Sequence, residues 1–169
     1  MVMIDLITGF LGSGKTTFLK KYAEYLMDQG LHIGILENDF GAINVDMLML
    51  HELRGDQCEL EMIAGGCDAE SHRRRFRTKL ISMRMCGYDR VLVEPSGIYD
   101  VDEFFDVLRE EPLDQWYEIG NVIAILDARL EKNLSQQADY LLASEAANAG
   151  KVILSHADAA TREQCCLLY

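Results

Sequence analysis

Residues 9–17 read Gly-Phe-Leu-Gly-Ser-Gly-Lys-Thr-Thr, and they lie between an apolar run at residues 2–7 and a stretch with helical periodicity. The segment satisfies every fixed position of the phosphate-binding pattern G-x-x-x-x-G-K-[ST]. Its glycines let the backbone curl with N–H groups pointing inward, and the helix N-terminus that follows favours an anion. A plain Gly-rich turn is the alternative, but strand, motif and helix in register favour a phosphate-binding loop.

The motif gives individual residues a role. Lys15 is expected to reach the β- and γ-phosphates of a nucleotide, and the Thr16 hydroxyl is expected to ligate Mg²⁺. The residues predicted to bind nucleotide in this segment are Gly9, Gly12, Ser13, Gly14, Lys15, Thr16 and Thr17.

Length and charge restrict the function further. The chain has 169 residues, 49% of them hydrophobic, which predicts one domain over residues 1–169 with a core of ordinary size. Its formal net charge of −12 argues against general binding to nucleic acid or to an anionic membrane, because both need clustered basic charge. A nucleotide is compatible with an acidic protein, since backbone N–H groups and Mg²⁺ hold its phosphates locally.

The cysteine count and the N-terminal sequence indicate the cellular compartment of the protein. Five cysteines, an odd number, do not suggest a disulfide framework, and Cys58 and Cys86 are predicted to be buried thiols. The N-terminus lacks the basic and long apolar regions of a signal peptide, which predicts a cytoplasmic protein. The chain stops inside a helical pattern, which suggests truncation at the C-terminus.

Short apolar runs alternate with longer helical patterns along the whole chain. This alternation predicts an α/β fold, a mostly parallel central sheet with helices on both faces. Strands are predicted at residues 2–7, 32–36, 57–63, 90–93, 121–126 and 151–154. Helices are predicted at residues 16–28, 46–54, 69–86, 101–108, 135–147 and 161–169, and residues 114–118 are predicted to lie in a loop.

A carboxylate follows the strand predicted at residues 90–93, in the sequence Glu94-Pro95-Ser96-Gly97. In a nucleotide switch, an acid at this point organises Mg²⁺ and its water, and a glycine amide meets the γ-phosphate. A Pro-Ser-Gly turn is common after strands, so the indication depends on its pairing with the phosphate-binding loop. The residues predicted to carry catalysis are Lys15, Thr16, Glu94 and Gly97.

Five stretches together carry a family resemblance: residues 9–17, 37–41, 64–67, 94–97 and 122–128. In these stretches the chain resembles the GTPase domain of the CobW-type group, P-loop proteins related to urease and hydrogenase accessory GTPases. Glu94 matches the glutamate that distinguishes this group. The resemblance implies a P-loop NTPase fold, slow hydrolysis of GTP to GDP, and a nucleotide switch in metal handling, with a metalloenzyme client or a homodimer as possible partners.

The resemblance also assigns ligands. It implies that Thr16 and Glu94 hold Mg²⁺, that Asp158 contacts the guanine base, and that Glu37 and Cys67 contact a transition metal such as Zn²⁺. The family's thiolate pattern G-G-C-x-C-C reads Gly-Gly-Cys-Asp-Ala-Glu at residues 65–70. One thiolate of three remains, which is too few for a structural metal site. A mixed set of ligands is the alternative, made of Cys67, Asp68, Glu70 and His72.

The base-recognition element also differs from the family pattern. The family's N-K-x-D or T-K-x-D is Ser155-His156-Ala157-Asp158 here. Asp158 retains the carboxylate that discriminates guanine from adenine. His156 replaces the lysine stem, so it either stacks on the purine or leaves a site with relaxed base preference.

Residues 72–77, His-Arg-Arg-Arg-Phe-Arg, form a basic segment in an acidic chain. A solvated helix face is its commonest role, and contact with a partner's phosphates is the alternative. Three hypotheses follow for the whole chain: a Mg²⁺-dependent GTPase switch, a non-catalytic nucleotide-binding or protein-interaction module with eroded sites, and a P-loop kinase whose acceptor site uses this basic segment.

Overall fold

The computed structural model describes residues 1–10, 12–39, 45–64, 69–95, 101–129, 135–162 and 165. Strands and helices alternate along this part of the chain. The strands are β1 Val2–Thr8, β2 Ile33–Asp39, β3 Cys58–Ala64, β4 Arg90–Glu94, β5 Tyr117–Asp127 and β6 Lys151–Ser155. The helices are α1 Lys15–Asp28, α2 Val45–Leu50, α3 Ala69–Arg84, α4 Val101–Leu108, α5 Leu113–Trp116 and α6 Gln136–Asn148, with a 3-10 turn at His51–Leu53.

The six strands form one sheet in the order β3-β2-β4-β1-β5-β6. Every pairing between neighbours is parallel. Parallel pairing brings the carboxyl ends of all six strands to one edge, where ligands of such sheets bind. The prediction of a parallel α/β sheet is confirmed.

Both faces of the sheet are covered by helices, as the alternation predicted. On β4, Val91 and Val93 face one layer and Leu92 faces the other, because successive side chains of a strand point to opposite faces. The first layer buries α3 and α4 through Phe76, Leu80, Met83 and Phe104. The second layer buries α1 through Leu19, Ala23 and Leu26.

Helix α3 carries the basic segment of residues 72–77. Arg73 Nη2 lies 2.6 Å from Glu110 Oε1, and Arg77 Nε lies 3.0 Å from Glu110 Oε2. The two arginines therefore hold α3 to the turn that follows α4, and this part of the segment offsets an acid of the same chain.

None of the described helices combines the length and apolar composition that crossing a bilayer requires.

Three local predictions differ from the structure. Strand β5 begins at Tyr117, four residues before the predicted start, and the loop predicted at residues 114–118 is occupied by the end of α5 and the start of β5. The reason is tertiary: Tyr117 is buried, pairs with Val2, and donates a hydrogen bond to the carbonyl oxygen of Leu80 at 2.8 Å. Cys58 is buried as predicted, whereas Cys86 is exposed. The helix predicted at residues 161–169 lies mostly outside the described residues.

A buried polar cluster holds the centre of the sheet together. Asp5, in the middle of β1, is fully buried and accepts hydrogen bonds from Arg90 Nη1 at 2.6 Å and from the Tyr22 hydroxyl at 2.8 Å. Its other oxygen accepts the backbone N–H of Asn121 on β5 at 2.7 Å. The register of the β1–β5 pairing shifts at this point, and a Cβ on Gly120 would collide with the Asp5 carboxylate.

Candidate nucleotide site

The predicted phosphate-binding loop leaves the sheet at the carboxyl end of β1. Gly9, Gly12 and Gly14 have φ values of 142°, 78° and 92°, which side-chain-bearing residues rarely adopt. A Cβ on Gly9 would collide with the carbonyl oxygen of Ile125 on β5. The loop therefore passes so close to the neighbouring strand that its first position accepts glycine only.

The loop carries polar groups on its inner side. Lys15 is buried, and its Nζ donates a hydrogen bond to the carbonyl oxygen of Phe10 at 3.1 Å, so its side chain folds back along the loop. The Ser13 hydroxyl is buried and has no hydrogen-bond partner among the residues described. A buried donor without a partner among these residues, just before the N-terminus of α1, fits a phosphate group. Thr17 is exposed on the first turn of α1.

The two residues predicted to hold Mg²⁺ are in direct contact. Thr16 Oγ1 donates to Glu94 Oε1 at 2.8 Å, and both side chains are buried. The contact arises because Thr16 lies in the first turn of α1 and Glu94 ends β4, which pairs with β1 in the sheet. Hydroxyl and carboxylate oxygens are ligands that Mg²⁺ prefers, so this pair fits the ion.

Glu37 lies beside this pair. On β2 it pairs in register with Glu94, and it is 3% exposed. Cys67 and Gly97, the other predicted metal and switch residues, lie outside the described residues. Within the described ranges, no group of three or more His, Cys, Asp or Glu side chains is arranged to hold a metal ion.

The two described residues of the alternative mixed metal site, His72 and Glu70, have different partners. His72 is buried, and its Nδ1 lies 3.1 Å from Glu103 Oε1 on α4. Glu70 is exposed and pairs with Arg74 one turn along α3. Asp68 and Cys67 lie outside the described residues. His72 is therefore engaged with α4, whereas Glu70 is paired within α3.

The predicted base-recognition element follows β6 and lies near the phosphate-binding loop. A Cβ on Gly14 would lie 3.8 Å from Ser155 Cβ. His156 has φ of 53°, in the left-handed region, and its Nδ1 lies 3.2 Å from Asp127 Oδ2. Asp158 is exposed, and it attracts Arg129 electrostatically.

Asp127 organises this side of the site, and the sequence prediction gave it no role. Arg129 donates two hydrogen bonds to the Asp127 carboxylate, from Nη2 to Oδ2 at 2.8 Å and from Nε to Oδ1 at 3.0 Å. These hydrogen bonds lower the pKa of Asp127 to about 2. The available signal was its position, because Asp127 ends β5 as Glu94 ends β4.

Glu145 on α6 is a second residue that the sequence prediction missed. It is 3% exposed, and it accepts a hydrogen bond from Thr8 Oγ1 at 3.1 Å at the base of the phosphate-binding loop. Burial raises the pKa of Glu145, and the hydrogen bond from Thr8 acts in the opposite direction. The signal in the sequence is weak: a carboxylate between small residues in a helix that is otherwise polar and alanine-rich.

Comparisons with known proteins agree with this geometry. The family model described as CobW/HypB/UreG, nucleotide-binding domain, matches residues 3–167. The chain is 31% identical over 157 residues to the zinc chaperone YeiR of Escherichia coli (strain K12), an alignment that covers 89% of this chain and 47% of YeiR. It is 29% identical over 172 residues to the zinc chaperone YjiA of the same organism, covering 94% of this chain and 50% of YjiA. The chain thus spans about half the length of these relatives.

Solved structures share the fold. The signal recognition particle receptor FtsY from Elizabethkingia anophelis has a TM-score of 0.66 at 19% identity, covering 97% of this chain and 53% of that one. The Zn(II)-bound YjiA GTPase from E. coli has a TM-score of 0.59 at 20% identity, covering 98% and 52%. These likenesses show an α/β P-loop fold, and the family match over residues 3–167 shows that the chain belongs to the CobW/HypB/UreG family, whose nucleotide-binding domain it carries.

Proposed function

We propose that this domain binds GTP with Mg²⁺, hydrolyses it slowly to GDP, and acts in the cytoplasm as a nucleotide switch in metal handling or cofactor assembly. One observation carries the proposal: the buried hydrogen bond of 2.8 Å between Thr16 Oγ1 and Glu94 Oε1. It joins the phosphate-binding loop to the carboxyl end of the neighbouring strand, where a switch acid is needed.

The chain's own residues supply the binding chemistry. Inward N–H groups of the glycine-containing loop and the N-terminus of α1 would surround the phosphates. Lys15, which donates to the carbonyl oxygen of Phe10, would exchange that partner for β- and γ-phosphate oxygens. The buried Ser13 hydroxyl would gain an acceptor that it lacks among the described residues.

Thr16 and Glu94 would hold the cation, which when bound neutralises charge on the β- and γ-phosphate oxygens. Glu94 would also orient the attacking water through its carboxylate. A carboxylate engaged with a hydroxyl and a cation is a weak base, so we expect slow turnover that a partner can raise. The backbone N–H of Gly97 is proposed to sense the γ-phosphate.

The role in metal handling rests on the relatives, which are named zinc chaperones. Glu37 pairs in register with Glu94, so the proposed metal ligand and the proposed switch acid lie on adjacent strands. We propose that Glu37 and Cys67 contribute to binding a transition metal such as Zn²⁺, and that nucleotide state alters this binding. A metalloenzyme client and a second copy of the chain are the proposed partners.

Calorimetry with GTP, GDP and ATP, each with and without Mg²⁺, tests the proposal. We expect GTP and GDP to bind, and we expect Mg²⁺ to increase the affinity for GTP. Lys15→Ala should weaken GTP binding by roughly a hundredfold, because charge-assisted contacts to phosphate are lost. Lys21→Ala is the matched control, since Lys21 is exposed on the same helix.

Phosphate release measured on the same samples tests the hydrolysis. Slow release that requires Lys15 supports a GTPase switch. Binding without release would instead identify a non-catalytic nucleotide-binding module. Equal GTP affinity in Lys15→Ala and wild type would contradict the assignment of the site.

A further inference from the structure

Helix α6 contributes a carboxylate to the underside of the phosphate-binding loop. Of the α6 side chains that the structure describes, Glu145 is the one that is fully buried. A glutamate is an unusual choice for that position, because burying a carboxylate costs free energy unless it is paired or hydrogen-bonded. Its surroundings therefore need to account for its presence.

The contacts of Glu145 lead to the loop. Oε1 accepts the Thr8 hydroxyl at 3.1 Å, and the backbone N–H of Gly9 acts to lower the pKa of the carboxylate. Thr8 is the last residue of β1, and Gly9 is the first residue of the loop. Glu145 thereby fixes the point at which the chain turns from the strand into the phosphate site.

The charge of Glu145 has a second effect. Lys15 stabilises the charged carboxylate, and this effect and the Thr8 hydrogen bond oppose the rise in its pKa that burial causes. Oε2 is buried and has no hydrogen-bond partner among the described residues. A negative charge held beside Thr8, at the start of the phosphate-binding loop, repels a bound polyphosphate, and the repulsion grows with the number of phosphate charges.

We propose that Glu145 is a positioning residue of the phosphate-binding loop, and that its buried negative charge lowers the preference of the site for a nucleoside triphosphate over the diphosphate. The inference rests on the proposed nucleotide binding and adds a residue from α6 that sets its selectivity. The positioning and the charge are separable, because a glutamine retains the acceptor oxygen and removes the charge.

The test compares the GTP and GDP affinities of three variants by calorimetry in Mg²⁺. Glu145→Gln retains an acceptor for Thr8, so we expect the ratio of GTP to GDP affinity to rise about threefold to tenfold, because the repulsion between the carboxylate and the additional phosphate charge is removed. Glu145→Met is close in size and lacks an acceptor, so we expect it to bind both nucleotides more weakly while showing the same raised ratio. Glu118→Gln is the control, because Glu118 is exposed and pairs with Met3, at the end of β1 far from the loop.

The outcomes separate the two proposals. A raised ratio in both Glu145 variants and an unchanged ratio in Glu118→Gln support the role of Glu145. Ratios within twofold of wild type in both Glu145 variants overturn that role, while the proposed function stands. Equal losses of GTP and GDP affinity, with an unchanged ratio between them, would indicate a purely structural role for Glu145. That result would also overturn the charge effect. If the wild type binds neither nucleotide, the proposed function fails, and this inference fails with it.

Discussion

The two halves of the candidate site are built differently. On the phosphate side, Lys15, Thr16 and Glu94 are all buried, and hydrogen bonds of 3.1 Å and 2.8 Å join Lys15 to Phe10 and Thr16 to Glu94. On the base side, Asp158 is exposed, and the His156 side chain is 38% exposed. Both halves lie at the carboxyl edge of the same parallel sheet.

The difference shows that the two halves of the site are stabilised by different interactions. The phosphate half is determined by core packing, because the loop runs against β5 and its lysine and threonine are enclosed. The base half is held by ion pairs at the surface, which contribute little and depend on solvent screening. We therefore expect changes to the phosphate half to have large effects and changes to the base half to have small and selective effects.

The largest effect is expected for Gly9→Ala. A Cβ at this position collides with the backbone oxygen of Ile125, and backbone cannot move aside as a flexible side chain can. We expect nucleotide affinity to fall by more than about a hundredfold, because the loop must shift away from β5. Calorimetry with GTP and GDP measures the loss.

Gly12→Ala is the matched control for this prediction. Gly12 also has positive φ, but a Cβ there meets no atom of the described residues within 4 Å. Its cost to the fold should be limited to backbone strain of about 1–2 kcal/mol, so we expect nucleotide affinity to fall less than in Gly9→Ala. Equal loss of affinity in the two variants would show that the close approach to β5 is unimportant.

A smaller effect is expected for Asp158→Ala. A charge-assisted hydrogen bond contributes about 1.5–3 kcal/mol, and exposure puts this site at the low end, so the preference for GTP over ATP should fall by about tenfold. Competition between GTP and ATP for the site measures this preference. Asp114→Ala, an exposed acid on α5 before β5, is the control. An unchanged preference in Asp158→Ala would mean that base recognition is already lost.

The smallest effect is the pH dependence of Asp127. Arg129 lowers the pKa of this carboxylate from 3.8 to about 2. An acid whose pKa is lowered by folding stabilises the fold above pH about 3.8, and this stabilisation disappears as pH falls through about 2. Wild type should therefore be more stable than Asp127→Asn near neutral pH by about 1 kcal/mol, a value reduced by solvent screening, and the difference should vanish near pH 2.

Thermal unfolding of both proteins between pH 2 and pH 6 checks this prediction. A difference that stays constant across that range would assign the stability of Asp127 to something other than its charge. Asp139→Asn, an exposed acid in the first turn of α6, serves as the control.

The sequence predicted the fold well because its signals were local. Residues 9–17 carry glycines whose positive φ values the loop requires, and the apolar runs are short enough to be strands of a buried parallel sheet. The contact between Thr16 and Glu94 was also predictable, since both residues belong to motifs at the carboxyl ends of adjacent strands.

What the sequence did not predict depends on contacts between distant segments. Glu145 lies 137 positions after Thr8, and nothing in the alanine-rich sequence of α6 indicates which of its side chains faces the loop. The start of β5 was missed for a similar reason, because the burial of Tyr117 is determined by α3 and β1. The pairing of Asp127 with His156 required knowledge of how β5 and β6 align.

Strand β5 is fixed in register far from the site. The Asp5 carboxylate accepts the backbone N–H of Asn121, and Gly120 leaves the room that this contact needs. If β5 slid by one residue, it would lose this hydrogen bond and would place a side chain against a buried carboxylate. Asp127 stands six residues further along the same strand, so its arrival beside His156 depends on this anchoring. Single-residue insertions or deletions between residues 121 and 127 should therefore be tolerated far less well than point substitutions there, because they would reposition the base side of the site without touching any of its residues.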